Sequence, residues 1–454
     1  MKALEELIEE LRRIEHRRAQ LARQIDQTEQ QIEEIRGSGP WKMLEAYRRA
    51  RVRAKFSGLS AHALRAARRA HSPHRRVPSA VRTTPLGVNV SGYLDTESGM
   101  GEAARANIRS LDAAGVPLAL NNVPSALRTG ETTYRPAFSD ANPHPFNLVH
   151  LNADNMPAFA AARGPAYFRD RYTIGYWFWE LAAFRDDWVP LAGYVDEVWA
   201  ATRFVQQSIQ SKCKVLVRRL PLAVVLPPLP PHGRAHFGIP AAPAAFLYIF
   251  DVSSQTERKN PYGAIRAFRR AGLPHDAAVL VLKFSNPEYD RAGVRRLYEE
   301  ARGLNVVMLD GYLDRPDLCA LMNAADCYLS PHRAEGLGLT LLESMRLGKP
   351  VIGTAYSGNM DFMTDDNSYL LDYELVTLAR DYGPYMAGAE WAAPDIDRAA
   401  ALIRRVVDHR DEARAKGARA RAMVERDYSP GVIGTAMRER LDAVRAGRRD
   451  EEHA

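Results

Sequence analysis

Two carboxylates eight positions apart, Glu335 and Glu343, bracket Gly336, Leu337 and Gly338. The segment follows a short apolar run at 327–329 and leads into a helical pattern over 339–347. A loop of this kind between a strand and a helix leaves backbone N–H groups free and turns the positive end of the helix dipole outward, which suits an anion or a polyol. Carboxylates accept hydrogen bonds from vicinal hydroxyls, so the pair can read two hydroxyl-bearing parts of one ligand, such as a sugar and a ribose. A second group of reactive types, Ser253, Ser254, Arg258 and Lys259, follows the apolar run 246–250. Elsewhere an Arg-Lys pair is a solvated turn; at a strand end it can present its charge to a ligand. Gly358 and Asn359 follow a third run, 350–353, and Asn359 is expected to adopt a left-handed backbone.

The first half of the chain offers weaker signals. Gly99 and Gly101 come after the run 88–94 and permit a tight turn and close approach by a phosphate or sugar. His150, Asn152 and Asp154 end the run that starts at Phe146. The segment Tyr176, Trp177, Phe178, Trp179, Glu180 reads either as core or as a surface that stacks on sugar rings.

These residues need a scaffold. From about residue 85, short apolar runs at 86–90, 117–120, 146–151 and 172–177 alternate with a helical stretch at 102–114. Alternation of this type means a parallel sheet covered by helices. The Pro-rich segment 226–243 reads as an interdomain linker. A second series then predicts strands at 246–250, 278–284, 306–309, 327–329 and 350–353, with helices at 262–271, 317–324 and 339–347. One long helical region over 394–425 and a last helix at 434–446 close the chain. Ligands of open parallel sheets lie at the carboxyl ends of the strands, so two such domains imply a site in the cleft between them.

With these motifs in place, residues 87 to 430 resemble the retaining glycosyltransferases of the GT-B fold, specifically glycosyltransferase family 4, most strongly over 246–371. The resemblance implies that Glu335 contacts the donor sugar near the reacting centre and that Glu343 holds the nucleotide ribose. Lys259 matches the family lysine at the donor diphosphate. Ser253 and Ser254 stand where the family has an arginine, so Arg258 is expected to supply the second charge. Gly358 keeps one glycine of the family's Gly-Gly loop, with Asn359 in place of the other. His150 matches the first histidine of a His-x-His pattern, and Asn152 replaces the second. The implied reaction is transfer of a sugar from a nucleotide-sugar donor to an acceptor hydroxyl with retention of configuration, leaving and attacking groups sharing one face. No Asp-x-Asp pair stands at a strand end, so neither metal nor cofactor is expected.

Composition bounds the rest. The chain has 454 residues, 46% hydrophobic and 26% charged, enough for two domains of ordinary globular type. Its three cysteines, Cys213, Cys319 and Cys327, are too few for a disulfide framework, and no Cys/His cluster has zinc-finger spacing. The charged start of the chain, unlike an apolar signal peptide, points to the cytoplasm. The net charge of +7 is concentrated: residues 1–36 carry −2, residues 37–82 carry +11 and the remainder −2. A near-neutral body argues against nucleic acid as a partner.

Leu4, Leu7, Leu11, Ile14, Leu21, Ile25, Ile32 and Ile35 keep a heptad spacing, which predicts a coiled coil over 1–36 and self-association; the alternative is an amphipathic helix lying on its own core. Residues 37–82 interleave Trp41, Met43, Leu44, Tyr47 and Phe56 with Arg and Lys, fitting either an anionic membrane surface or a solvated linker. The expected domains are thus 1–36, 37–82, an acceptor domain over 83–240, a donor domain over 241–430 and a terminal helix and tail over 431–454. The expected role is extension of a glycan or lipid-linked acceptor, that of a bacterial surface polysaccharide. The alternatives are a soluble disaccharide- or glycogen-type synthase, or a non-catalytic coiled-coil scaffold with a degenerate sugar-binding body.

Overall fold

The computed structural model of the chain describes residues 77–125 and 128–448. The heptad segment, the basic segment up to residue 76 and the tail from 449 lie outside the described residues.

Six parallel strands make the first sheet: β1 Val88–Gly92, β2 Leu118–Asn122, β3 Phe146–His150, β4 Tyr172–Trp177, β5 Glu197–Ala200 and β6 Leu216–Arg219, in the order β2-β1-β3-β4-β5-β6. β1 extends two residues beyond its apolar run because Asn89 and Ser91 are paired inside the fold. The Asn89 amide donates to Asn147, the Asn147 amide to Thr173, and Ser91 Oγ lies 2.7 Å from Tyr167 Oη. Buried polar side chains with partners interrupt a hydrophobic pattern without breaking the strand.

The second sheet runs β12-β11-β10-β7-β8-β9, again with parallel pairing. Its strands are β7 Ala244–Asp251, β8 Ala278–Ser285, β9 Val306–Asp310, β10 Cys327–Ser330, β11 Val351–Thr354 and β12 Tyr369–Leu371. A two-stranded antiparallel ribbon, β13 Tyr373–Thr377 with β14 Glu390–Pro394, follows. In each sheet the strand order reverses once, between β1 and β3 and between β7 and β10. Chains leaving neighbouring strands at such a point diverge to opposite faces and open a crevice at the carboxyl ends. Most of the expected site residues follow the strands at these two points; Gly358 and Asn359 follow β11, and Glu343 lies on the Leu339–Arg346 helix.

The long helix expected over 394–425 is two helices, Ile396–Asp408 and Arg410–Asp427, separated at His409, whose φ of −123° and ψ of 58° leave the helical region. The final helix, Pro430–Arg445, starts four residues earlier than expected. Ser429 accepts from the Val432 N–H and Pro430 occupies the first turn, a strong start signal. This helix follows the second sheet in sequence but covers the first. Its Gly434 lies so near the Gly99–Ala113 helix that a Cβ there would sit 2.0 Å from the Ser110 carbonyl oxygen. Arg440 forks onto buried Glu197 of β5, Nη2 to Oε2 at 2.6 Å and Nε to Oε1 at 2.9 Å. Tyr172 Oη and Trp199 Nε1 also donate to this carboxylate, and Arg218 Nε lies 4.0 Å from its Oε1.

Among the described residues, no helix is long and apolar enough to cross a membrane.

Candidate active site

The loop after β10 is held from several sides. The Asn260 amide donates to the Pro331 carbonyl, Thr354 Oγ1 to the His332 carbonyl, and the Arg333 N–H to the Arg258 carbonyl. Ser357 Oγ accepts from the Glu335 N–H at 2.8 Å, and the Gly358 N–H donates to the Glu335 carbonyl at 2.9 Å. A Cβ on Gly358 would sit 2.1 Å from the Gly336 carbonyl oxygen, so this contact requires glycine. The loop is thus pre-shaped before any ligand binds.

Glu335 is braced by both expected cations. Its Oε1 lies 2.5 Å from Lys259 Nζ and its Oε2 3.2 Å from Arg258 Nη1. Arg258 also donates to the carbonyls of Ala334 and Ser254, fixing the guanidinium between the two loops. Burial alone would raise the Glu335 carboxyl; the Lys259 and Arg258 cations override it and bring it down to about 2. The triad therefore sets two basic side chains against one carboxylate, with Glu180 acting on both cations and burial lowering the Lys259 ammonium. The Leu339–Arg346 helix follows Gly338, which is in a left-handed conformation (φ +84°), and has no side-chain cap. Ser253 and Ser254 form the turn that leads β7 into this site, with Asp251 accepting from the Ser253 N–H. Leu337 packs in the core, so only its backbone remains for a ligand.

Glu343, on the same helix, is nearly fully buried and has a separate partner, Arg315 Nη2, at 2.5 Å. Burial raises its carboxyl, with Arg315 working against the rise. The same guanidinium lies 3.7 Å from Glu102 of the first domain, which in turn pairs with Arg105 and Arg109. Arg315 and Glu102 carry no local motif; residues 102, 315 and 343 meet only when the two sheets face each other. Neither was singled out from sequence.

The third loop differs from expectation. The residue of positive φ is Ser357, whose φ of 77° and ψ of −149° lie outside the left-handed helical region, and Asn359 is absent from the residues of positive φ. Asn359 instead spends its side chain on support: Oδ1 faces His332 Nε2 at 3.0 Å and Nδ2 donates to the Thr354 carbonyl.

In the first domain, Gly101 is sterically required, since a Cβ would lie 2.5 Å from the Thr96 carbonyl oxygen. The crowding comes from the loop itself. Nothing lies within 4 Å of a Cβ on Gly99, which starts the helix capped by Ser98. His150 is fully buried, stacked on Tyr176 with ring centroids 4.8 Å apart, and burial lowers its imidazole to about 3. It is a neutral ring with Nε2 3.3 Å from the Asn107 amide nitrogen. Asn152 Oδ1 accepts from the Phe178 N–H, and Asp154 is exposed. Tyr176, Trp177 and Trp179 are buried, the core alternative of the two readings. Glu180 at the end of that run accepts from Tyr385 Oη at 2.9 Å, a contact between the domains. Thr202 Oγ1 likewise donates to the Gly336 carbonyl, and Asp361 accepts from the Arg203 N–H.

Residues 236–423 match the family model described as glycosyl transferases group 1, a span that contains the Glu335 triad, Glu343 and Gly358. The chain is 27% identical over 213 residues to a protein of Escherichia coli named as a colanic acid biosynthesis glycosyltransferase, covering 45% of this chain and 47% of the relative. A glycogen synthase of Mycobacterium tuberculosis is 24% identical over 210 residues, 46% of this chain and 44% of that one. The chain thus spans about half the length of these curated relatives. Among solved structures, the Anabaena protein HepE in complex with UDP and glucose superposes with a TM-score of 0.57 at 15% identity, over 79% of this chain and 100% of that one. Sucrose-phosphate synthase from Thermosynechococcus elongatus gives 0.58 at 16% identity, over 80% and 100%. These likenesses establish the fold of the glycosyltransferase domain and its partner: two Rossmann-like sheets facing one another, the GT-B arrangement.

Proposed function

We propose that the chain is a retaining glycosyltransferase of family 4 that moves a sugar from a nucleotide-sugar donor to a glycan hydroxyl. The observation that carries this reading is the Glu335 triad with Lys259 and Arg258 at the switch point of the second sheet, beside an uncapped helix start. In this reading the donor diphosphate meets the charge of Lys259 and Arg258, and Gly338 with the first N–H groups of the helix supplies further donors. The bond from the anomeric carbon to the diphosphate oxygen breaks while the bond to the acceptor oxygen forms on the same face. The acceptor proton passes to the leaving diphosphate oxygen, and the diphosphate departs with its charge matched by Lys259 and Arg258. Glu335, kept ionised, lies near the donor sugar. Glu343 accepts from the ribose hydroxyls, taking them in exchange for part of its contact with Arg315.

No step in this scheme uses a metal or a cofactor. UDP-sugars are the first donors to test, because UDP is the nucleotide in the Anabaena complex. His150, Asn152, Asp154, Gly99 and Gly101 stand at the switch point of the first sheet, the place for the acceptor. The acceptor proposed is the growing chain of a surface polysaccharide, carried on lipid at the inner face of the cell membrane. The colanic acid relative supports it, and the basic aromatic segment before residue 77 would hold the enzyme at that surface. A soluble synthase is the alternative, supported by the glycogen synthase likeness. A scaffold with a degenerate body is disfavoured by the complete triad. Proton NMR of the first-formed product tests the reading. An anomeric configuration equal to the donor's is expected, and an inverted product overturns it.

A further inference from the structure

Away from the cleft, the segment joining the two sheets carries a histidine pair that the transfer chemistry does not use. His232 and His236 stand four positions apart on either side of Arg234, between β6 and β7. Their imidazoles lie face to face, with centroids 3.8 Å apart and planes 11° from parallel. His232 Nδ1 is 2.7 Å from Oδ1 of Asp317, in the first turn of the Arg315–Ala324 helix. One ligand-type atom from each of the three residues lies within 4.8 Å of the other two. We propose that His232, His236 and Asp317 form a site for a divalent transition-metal cation of the zinc type, which fastens the interdomain linker to the second domain.

The donor set suits such an ion. Two imidazoles and one carboxylate are the ligands a borderline cation of this kind prefers, with an open position left for water. Tetrahedral ligands about 2.0–2.1 Å from zinc are about 3.3 Å from one another. Side-chain rotations that splay the stacked rings and close separations of up to 4.8 Å would bring the three ligand atoms to that spacing. Binding also needs imidazoles without a proton on the ligating nitrogen.

The scaffold beneath the histidines is fixed. Arg234 donates to the carbonyls of Ala324, Ala241 and Pro243 and pairs with Asp326, tying the Arg234–Phe237 turn to the far end of the helix that bears Asp317. Phe237 is buried beside it, its ring edge-on to His236. A bound ion would thus join two preformed pieces. Asp317 is two residues after Arg315, so the same helical turn presents one side chain to the ion and the other to Glu343.

The purified full chain, stripped with a chelator, is titrated with zinc by calorimetry beside His236→Gln and Asp317→Asn. His236 is exposed, so its replacement leaves the fold intact, which circular dichroism of the metal-free proteins verifies. The wild type is expected to bind one equivalent that both variants lose or hold at least about tenfold more weakly. Its Tm should also rise with zinc by an amount the variants do not show. A wild type that binds no zinc overturns the proposal, and so does binding that both variants retain unchanged.

Discussion

The carboxyl ends of the two sheets are built from different chemistry. At the second sheet, Lys259, Arg258 and Glu335 form an ionised triad, and Arg315 with Glu343 forms a separate pair. At the first, the loop after β3 offers a neutral imidazole stacked on a tyrosine, an asparagine that binds a backbone N–H and an exposed acid, Asp154, while Glu97 and Glu102 after β1 are already paired with arginines. Fixed charges aimed at one place act strongly where charge develops on a leaving group. A neutral polar end can read hydroxyls without competing for the diphosphate. Under the proposed function the two ends would divide the work, one stabilising departure and the other receiving the acceptor.

The largest effect expected on this division is at the triad. Glu335→Gln should lower the transfer rate about 10²–10³-fold, whereas His150→Gln, at the neutral end, should leave nucleotide-sugar affinity unchanged. Steady-state rates and donor titrations of the two variants check this, and equal losses would erase the distinction. Glu335→Gln should also lower stability near neutral pH, because it strands two cations around a buried neutral group. The Glu335 carboxyl is depressed in the fold, so its contribution is present above its unfolded value of about 4.5 and is lost as pH falls toward about 2. The Tm difference between wild type and Glu335→Gln should therefore shrink across that window.

A comparable stability effect, with no effect on the donor end, is expected from Arg440→Ala. It leaves Glu197 buried and deprived of its fork, at a cost of about 3–5 kcal/mol. Thermal unfolding should show a large drop in Tm while donor affinity in the cold is kept. Loss of donor binding in a folded variant would mean that the final helix reaches further than its contacts show.

Smaller and more specific effects belong to the second pair. Glu343→Ala should weaken donor binding about tenfold with little change in kcat, as for a contact equal in ground and transition states. Arg315→Ala should move the pH at which donor affinity is lost upward, since burial already raises the Glu343 carboxyl and Arg315 opposes that rise. Calorimetric titration over a pH series reads both.

Deleting residues 1–36 should reduce the mass measured by light scattering and leave donor affinity unchanged. An unchanged mass would favour the reading in which that helix lies on its own core.

The same contrast governs what could be read from sequence. The charged end was legible because its residues lie within two short loops, each bounded by an apolar strand and a helix start; Glu335 and Lys259 announce themselves by type and place. Arg315 and Glu102 were not, because their partnership exists only across the cleft. β5 was missed since Glu197 interrupts its apolar run, and the fork that neutralises that acid comes from Arg440, 243 residues away. β6 ends in two arginines, Arg218 and Arg219, and the β13–β14 ribbon is largely exposed, so neither gives a buried-strand pattern. Gly99 and Gly101 looked alike in sequence, yet only the crowding around Gly101 separates them. Asn359 was read as free to take a left-handed backbone and instead serves through its side chain, because the demand from His332 cannot be seen in a linear motif.

Nucleotide release from a panel of UDP-, GDP- and dTDP-sugars, measured with and without a glycan acceptor, tests the central claim most directly. The account predicts release from one nucleotide class, raised by acceptor and abolished by Glu335→Gln. Release that persists undiminished in Glu335→Gln, or none from any donor with the folded wild type, would contradict it.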